Sequence, residues 1–156
     1  QRETASFVTL LAEEKLRGCC GSVLPREPMV ESVARSATIA AFEDPRFPPV
    51  EAHELPQLQV QISLLSHLLP LHHRDEADLL AQLRPGTDGL VLRIQSHEGV
   101  FLPAVWEHLP DRHDFLNQLK LKAGLPPVWW SSAIRVQRFT VEKIEGRAAD
   151  YLAVPT

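Results

Sequence analysis

The chain has 156 residues, 44% of them hydrophobic and 23% charged, with a formal net charge of −4 at pH 7. That length predicts one domain, or one domain with a small lobe, able to bury roughly 70% of its unfolded surface without a disulfide or metal. The acidic balance argues against a general nucleic-acid binder, and no apolar run approaches the roughly 18 residues needed to span a bilayer.

Phe7-Val8-Thr9-Leu10-Leu11 is rich in strand formers, Ala12 to Lys15 is polar, and Leu16 to Cys20 returns as a second strand. The pair reads as a β-hairpin. Its second arm, Leu16-Arg17-Gly18-Cys19-Cys20-Gly21, holds both cysteines of the chain. On a regular strand Arg17 and Cys19 share one face, and Leu16 and Cys20 lie on the other. A guanidinium beside a thiol favours the thiolate, the nucleophilic and metal-binding form, so Cys19 is a candidate nucleophile. The competing explanation is packing: cysteine is a small, often buried residue that fits beside Gly18 and Gly21. Arg17 is also suited to bind an anion or to pair with Glu43 or Asp44. Adjacent Cα atoms sit about 3.8 Å apart, below the usual disulfide range of about 4.4–6.8 Å. Two reduced thiols fit a cytoplasmic protein. The chain opens on Gln1 rather than Met, so a longer parent product is the expectation.

Pro28 suits a helix start. From Met29 to Phe42, residues Val30, Val33, Ala34, Ala37 and Ala41 recur at helical spacing and predict a small-residue face that lies close to a sheet. Pro45 ends the helix by forcing Asp44 out of the α region. Asp44-Pro45-Arg46-Phe47-Pro48-Pro49 is a stiff loop, suited either to hold Asp44 and Arg46 in place or simply to turn the chain. Leu58, Val60, Ile62 and Leu64 alternate with polar residues and predict an antiparallel strand with one buried face.

Asp75 to Leu83 reads as a short helix, and Pro85 to Gly89 as a turn. Leu90 to Leu102 reads as a hairpin, with Glu98-Gly99 leading into its second arm, Val100-Phe101-Leu102. Asp111 to Ala123 is a helix, with Lys120 and Lys122 in its last turn and Gly124 at the C′ position. Of Trp129-Trp130, one ring is expected to cap the core and the other to stay partly exposed, and Trp106 to pack beside Phe101. The last strand runs from Ile134 towards Ile144, where a shift of apolar phase predicts a β-bulge. His72-His73 lacks partners at a metal-finger spacing, and no phosphate loop or Ser-His-Asp pattern is present. Arg135, Arg138 and Lys143 form at most a local basic stripe. Strands joined by turns, with helices at intervals, predict an α+β fold with an antiparallel sheet flanked by helices.

Several runs together resemble the AMMECR domain family. They are Phe7-Val8-Thr9-Leu10, Leu16-Arg17-Gly18-Cys19-Cys20-Gly21, Phe42-Glu43-Asp44-Pro45-Arg46-Phe47-Pro48-Pro49 and Glu54-Leu55-Pro56. They continue with Leu83-Arg84-Pro85-Gly86-Thr87-Asp88-Gly89-Leu90, Gly99-Val100-Phe101-Leu102-Pro103 and Lys122-Ala123-Gly124-Leu125-Pro126. The resemblance implies a single domain over residues 1–156, with a larger and a smaller lobe and a groove lined by the Leu-Arg-Gly-Cys run. It implies Cys19 as the motif cysteine, with Arg17, Gly18 and Gly21 beside it; Asp44 and Arg46 of the stiff loop are expected either to face each other across Pro45 or to reach into the groove as binding residues. It also implies an accessory or binding role in an AmmeMemoRadiSam-type system, beside a Memo-like protein and a radical S-adenosylmethionine enzyme. A cysteine-dependent enzyme using Cys19 is the alternative, and no cofactor is specified. The family usually has Cys-Ile-Gly where this chain has Cys19-Cys20-Gly21, so Cys20 takes an apolar position. The family also tends to carry a helix ahead of Phe7, which this chain lacks.

Overall fold

The computed structural model describes residues 4–149. The chain divides into two compact units, one formed by the chain up to Ser66 together with the segment from Glu142, the other by His67–Val141. Each is α+β and built on an antiparallel sheet.

The first unit opens with strands β1 (Ser6–Ala12) and β2 (Lys15–Ser22). Glu13 and Glu14 take the turn between them with φ of 50° and 64°, left-handed positions that two-residue hairpins require and that glycine or asparagine fills more cheaply. Helix α1 (Met29–Phe42) follows, then a 3₁₀ turn over Ala52–Gln57 and strand β3 (Leu58–Leu65). The sheet order is β2-β1-β3-β8, where β8 is Val141–Arg147. Val8, Leu10 and Leu58 form its core with Ala40 and Val50.

The predicted face of α1 is rotated in the structure. Val30 is 64% exposed, and Ala34 is exposed too. The residues against the core are Val33, Ala37, Ala40 and Ala41, with Ser36 buried among them. The buried side is still made of small residues, so the helix backbone comes close to the sheet. In β3, Leu58, Val60 and Ile62 pack on the core as expected, but Ser63 and Leu65 are buried as well.

The second unit holds strands β4 (Leu69–Pro70), β5 (Gly89–Ile94), β6 (His97–Phe101) and β7 (Arg135–Phe139), in the order β4-β7-β5-β6. Helices α2 (Glu76–Gln82) and α3 (Arg112–Lys122) lie one residue inside the predicted limits at each end, the outer residues being their caps. Asp75 and Asp111 cap them by accepting backbone N–H bonds from Asp78 and Asp114, and Gly124 has φ +87° after α3. Phe115 lies at the centre of the core, with Trp106 stacked on it at 3.7 Å and Phe101 edge-on at 5.2 Å. Trp106 and Phe101 thus meet through Phe115. Trp130 packs on this core while Trp129 stays 38% exposed.

Two expectations change here. The β5–β6 turn falls before His97, with Gln95 at φ 52°, and Glu98-Gly99 lies inside β6. Gly99 is there because a Cβ would stand 3.0 Å from the Leu119 carbonyl oxygen. The shift of apolar phase near Thr140 is no bulge: the chain leaves one sheet after β7 and joins the other as β8. Lys120 lies in the last helical turn as predicted and is fully buried there, with its Nζ 3.0 Å from Glu76 and 3.1 Å from the Pro127 carbonyl.

Candidate functional site

The motif strand β2 is an edge strand, with β1 as its one partner strand among the described residues. Leu10 opposes Gly18 and Leu11 opposes Leu16, so Arg17 is the extra residue of a β-bulge. A bulge bends the strand and re-aims the side chain it carries. It also breaks the alternation expected for this run. Cys20 opposes Val8 and packs on the core, whereas Leu16 opposes Leu11 on the other face and is 40% exposed.

Gly18 and Gly21 are where they are because nothing larger fits. A Cβ on Gly18 would lie 2.0 Å from the Ala40 carbonyl oxygen of α1, and one on Gly21 would lie 2.4 Å from the Ser6 carbonyl oxygen. Gly18 therefore lets the backbones of α1 and β2 touch, in keeping with the small face of α1, and Gly21 lets β2 lie tight against Ser6 and Phe7 of β1. Cys20 is a packing residue: burial pushes its thiol pKa up, with a hydrogen bond to Ser36 acting the other way.

Cys19 is half-buried and unbridged. It opposes Thr9, whose hydroxyl lies 3.5 Å from its sulfur. Its backbone N–H donates to Asp44 Oδ2 at 3.1 Å. The Asp44 carboxylate also accepts the Arg46 backbone N–H and Nε–H, both at 3.0 Å, and Nη2–H at 2.7 Å. Pro45 holds the two residues in a turn closed by the Phe47 N–H on the Asp44 carbonyl, at 3.1 Å. The Asp44 side chain is buried and that of Arg46 is 57% exposed. The hydrogen bonds from Arg46, side chain first, hold the Asp44 carboxyl far below the usual carboxylate range. The Arg46 pKa is raised, mainly by the hydrogen bond to Asp44, with smaller electrostatic contributions from Asp44 and Cys19.

Arg17 pairs with neither Glu43 nor Asp44. Its Nε and Nη2 donate to the two oxygens of Glu54, at 2.8 and 3.2 Å. That bond, helped by the Glu51 backbone N–H, lowers the Glu54 pKa to about 2. Arg17 and Arg46 both lie over the Phe47 ring, at 6.0 and 5.5 Å from its centroid. Arg17 Nη1 is buried and has no hydrogen-bond partner among the described residues. The structure therefore brings Cys19, Asp44 and Arg46 together directly, and connects Arg17 to them through Phe47.

Sequence reading gave no role to Glu54 or Phe47. Glu54 carried one local signal, its position three residues after Glu51, which is the spacing of the capping box that the two form. Phe47 carried none beyond its place among prolines. Among the described residues no group of three or more His, Cys, Asp or Glu side chains is placed to hold a metal ion. Among the described residues no helix is long and apolar enough to cross a membrane.

A family model described as AMMECR1 matches residues 1–144. A protein of Thermococcus gammatolerans is 41% identical over 134 residues, which cover 83% of this chain and 64% of that protein. A protein of Methanothermobacter thermautotrophicus is 38% identical over 138 residues, 87% of this chain and 72% of that protein. The chain thus spans a little under two thirds of the first relative's length. The crystal structure of the uncharacterized protein PH0010 from Pyrococcus horikoshii superposes with a TM-score of 0.85 at 34% identity, covering 92% of this chain and 73% of that one.

Proposed function

This chain belongs to the AMMECR1 family, and we propose that it acts as a binding, accessory component of an AmmeMemoRadiSam-type system. The recognition surface in this reading is formed by the motif residues Arg17 to Cys19 with the loop from Asp44 to Phe47. One observation carries it: Arg46 is more than half exposed, yet its Nε and Nη2 are pinned by Asp44. An arginine fixed on one side offers its remaining donors in a set direction, which suits a carboxylate or phosphate and reduces the ordering cost of binding. Ion pairs near a surface stabilise a fold little, and buried donors in native proteins are almost always paired. The orphaned Arg17 Nη1 and the doubled guanidinium on Phe47 therefore fit a site better than a staple.

The partners in this reading are a Memo-like protein and a radical S-adenosylmethionine enzyme, and two free thiols fit a cytoplasmic location. Titration calorimetry of the purified chain against each partner tests it. Saturable binding is expected, weakened at least about tenfold by Arg46→Ala with the circular dichroism unchanged. Absence of binding to both partners, or binding that Arg46→Ala leaves alone, removes the reading.

A second reading has an observation of its own. Cys19 shares the Asp44 carboxylate with Arg46 through its backbone N–H, and its sulfur lies beside the Thr9 hydroxyl, an arrangement compatible with covalent chemistry at sulfur. Here Cys19 is expected to react with iodoacetamide at neutral pH faster than glutathione, and Arg46→Ala is expected to slow it. Mass spectrometry separates Cys19 from Cys20. A rate equal to that of glutathione counts against a nucleophile.

A further inference from the structure

The second unit contains a hollow of about 450 Å³ that none of the motif residues lines. Its wall includes Arg93 of β5 and Arg135 and Gln137 of β7, with His72 and His73 from the segment after β4. Arg93 and Arg135 are register partners. Directly opposed residues of an antiparallel pair share a face, and like charges there repel. Arg93 has partial compensation, donating Nε–H to Glu98 at 3.2 Å and Nη1–H to Gln137 Oε1 at 2.7 Å. Arginine only donates, so Gln137 must present its oxygen there, and its NH₂ remains as a further donor. Arg135 is exposed and has no ion pair among the described residues.

His73 is held as well. Its Nδ1–H donates to the Leu71 carbonyl at 2.9 Å, which fixes the tautomer, and its ring meets Trp130 edge-on at 5.4 Å. No aspartate or glutamate lines this hollow, in a chain whose net charge is −4. The lining thus collects two arginines, two histidines and an amide donor, and the one carboxylate paired with them, that of Glu98 on Arg93, is not part of it.

We propose that this hollow binds a small organic molecule through an oxyanion, phosphate or carboxylate, seated between Arg93 and Arg135. An anion there offsets the cross-strand repulsion and gives Arg135 a partner. The volume falls within the usual range of small-molecule sites, roughly 300–1,000 Å³, and exceeds what a bare ion needs. The site is separate from the cysteine motif, so the binding reading of that motif and this one fail independently.

Calorimetric titration of the whole chain with inorganic pyrophosphate, AMP and citrate tests the proposal at low salt. At least one probe is expected to bind saturably with one-to-one stoichiometry. Phosphate probes against citrate distinguish the two oxyanion classes. Arg135→Glu is expected to weaken binding at least about tenfold, while Lys143→Glu, the same change in net charge on β8, leaves it intact. Circular dichroism confirms that both variants fold. The proposal is overturned if no probe binds at about 10 mM, or if the two variants weaken binding equally.

Discussion

Asp44 accepts the backbone N–H of Cys19 at 3.1 Å, across 25 positions of sequence. Because β2 is an edge strand, that N–H has no partner strand to donate to. One carboxylate therefore fixes the motif cysteine and orients the Arg46 guanidinium. Asp44→Ala is expected to abolish hydrogen-exchange protection of the Cys19 amide and to broaden the Arg46 side-chain signals. Asp44→Asn keeps an acceptor for the amide and loses the ion pair, so protection at Cys19 should largely survive while Arg46 loosens. Equal amide protection in Asp44→Ala and the parent chain contradicts this account.

Glu54 links the motif to pH. Its pKa falls from an ordinary 4.5 to about 2, first through the Arg17 hydrogen bond. A carboxyl with a depressed folded-state value adds stability above its unfolded value and loses it as pH falls through the folded value. The contribution is therefore complete above about pH 5 and is lost towards pH 2. Urea midpoints of the parent and Glu54→Gln should differ at pH 7 and converge near pH 2. A difference that does not change with pH shows that Glu54 acts through packing alone.

Gly18→Ala is expected to cost about 2–3 kcal/mol, because the new methyl group meets backbone, which cannot rotate away. Gly86, with φ +81° and nothing within 4 Å, is the comparison. Gly86→Ala should cost about 1 kcal/mol from backbone strain alone. The order of the two denaturation midpoints checks this. If Gly18→Ala is as stable as Gly86→Ala, α1 does not rest on β2 as described.

Lys120 tests the second unit. Glu76→Ala leaves a fully buried ammonium without its carboxylate and is expected to cost about 3 kcal/mol or more. Lys120→Met should cost much less, since the methionine fills similar space and the Glu76 side chain, 24% exposed, can rehydrate. The reverse order in chemical denaturation excludes the pair as the reason for the buried lysine.

The features legible in the sequence were those with local causes. The hairpin from Phe7 to Cys20, the limits of α1 and the caps of α3 each follow from neighbouring residues. What escaped depends on distant partners. Arg17 meets Glu54 across 37 positions, and no periodicity marks such a pair. The bulge at Arg17 is set by how β1 and β2 register, which either strand alone leaves undetermined. Thr140 looked like an irregularity because a strand that changes sheets and a strand with a bulge shift apolar phase alike. The buried Lys120 matched a helix-end cation in type and position, and only packing against Glu76 tells the two apart.

Strand β8 completes the sheet begun by β1 to β3, yet it is synthesised only after β4 to β7 of the other unit. On the ribosome, β3 must wait for the stretch after Thr140 before its far edge is covered. His67–Val141, an unbroken length of chain, can finish first. During that interval the nascent protein exposes an unpaired strand edge, the kind of surface on which newly made chains coalesce. The hairpin bearing Cys19 is thus translated well before the sheet it belongs to can close.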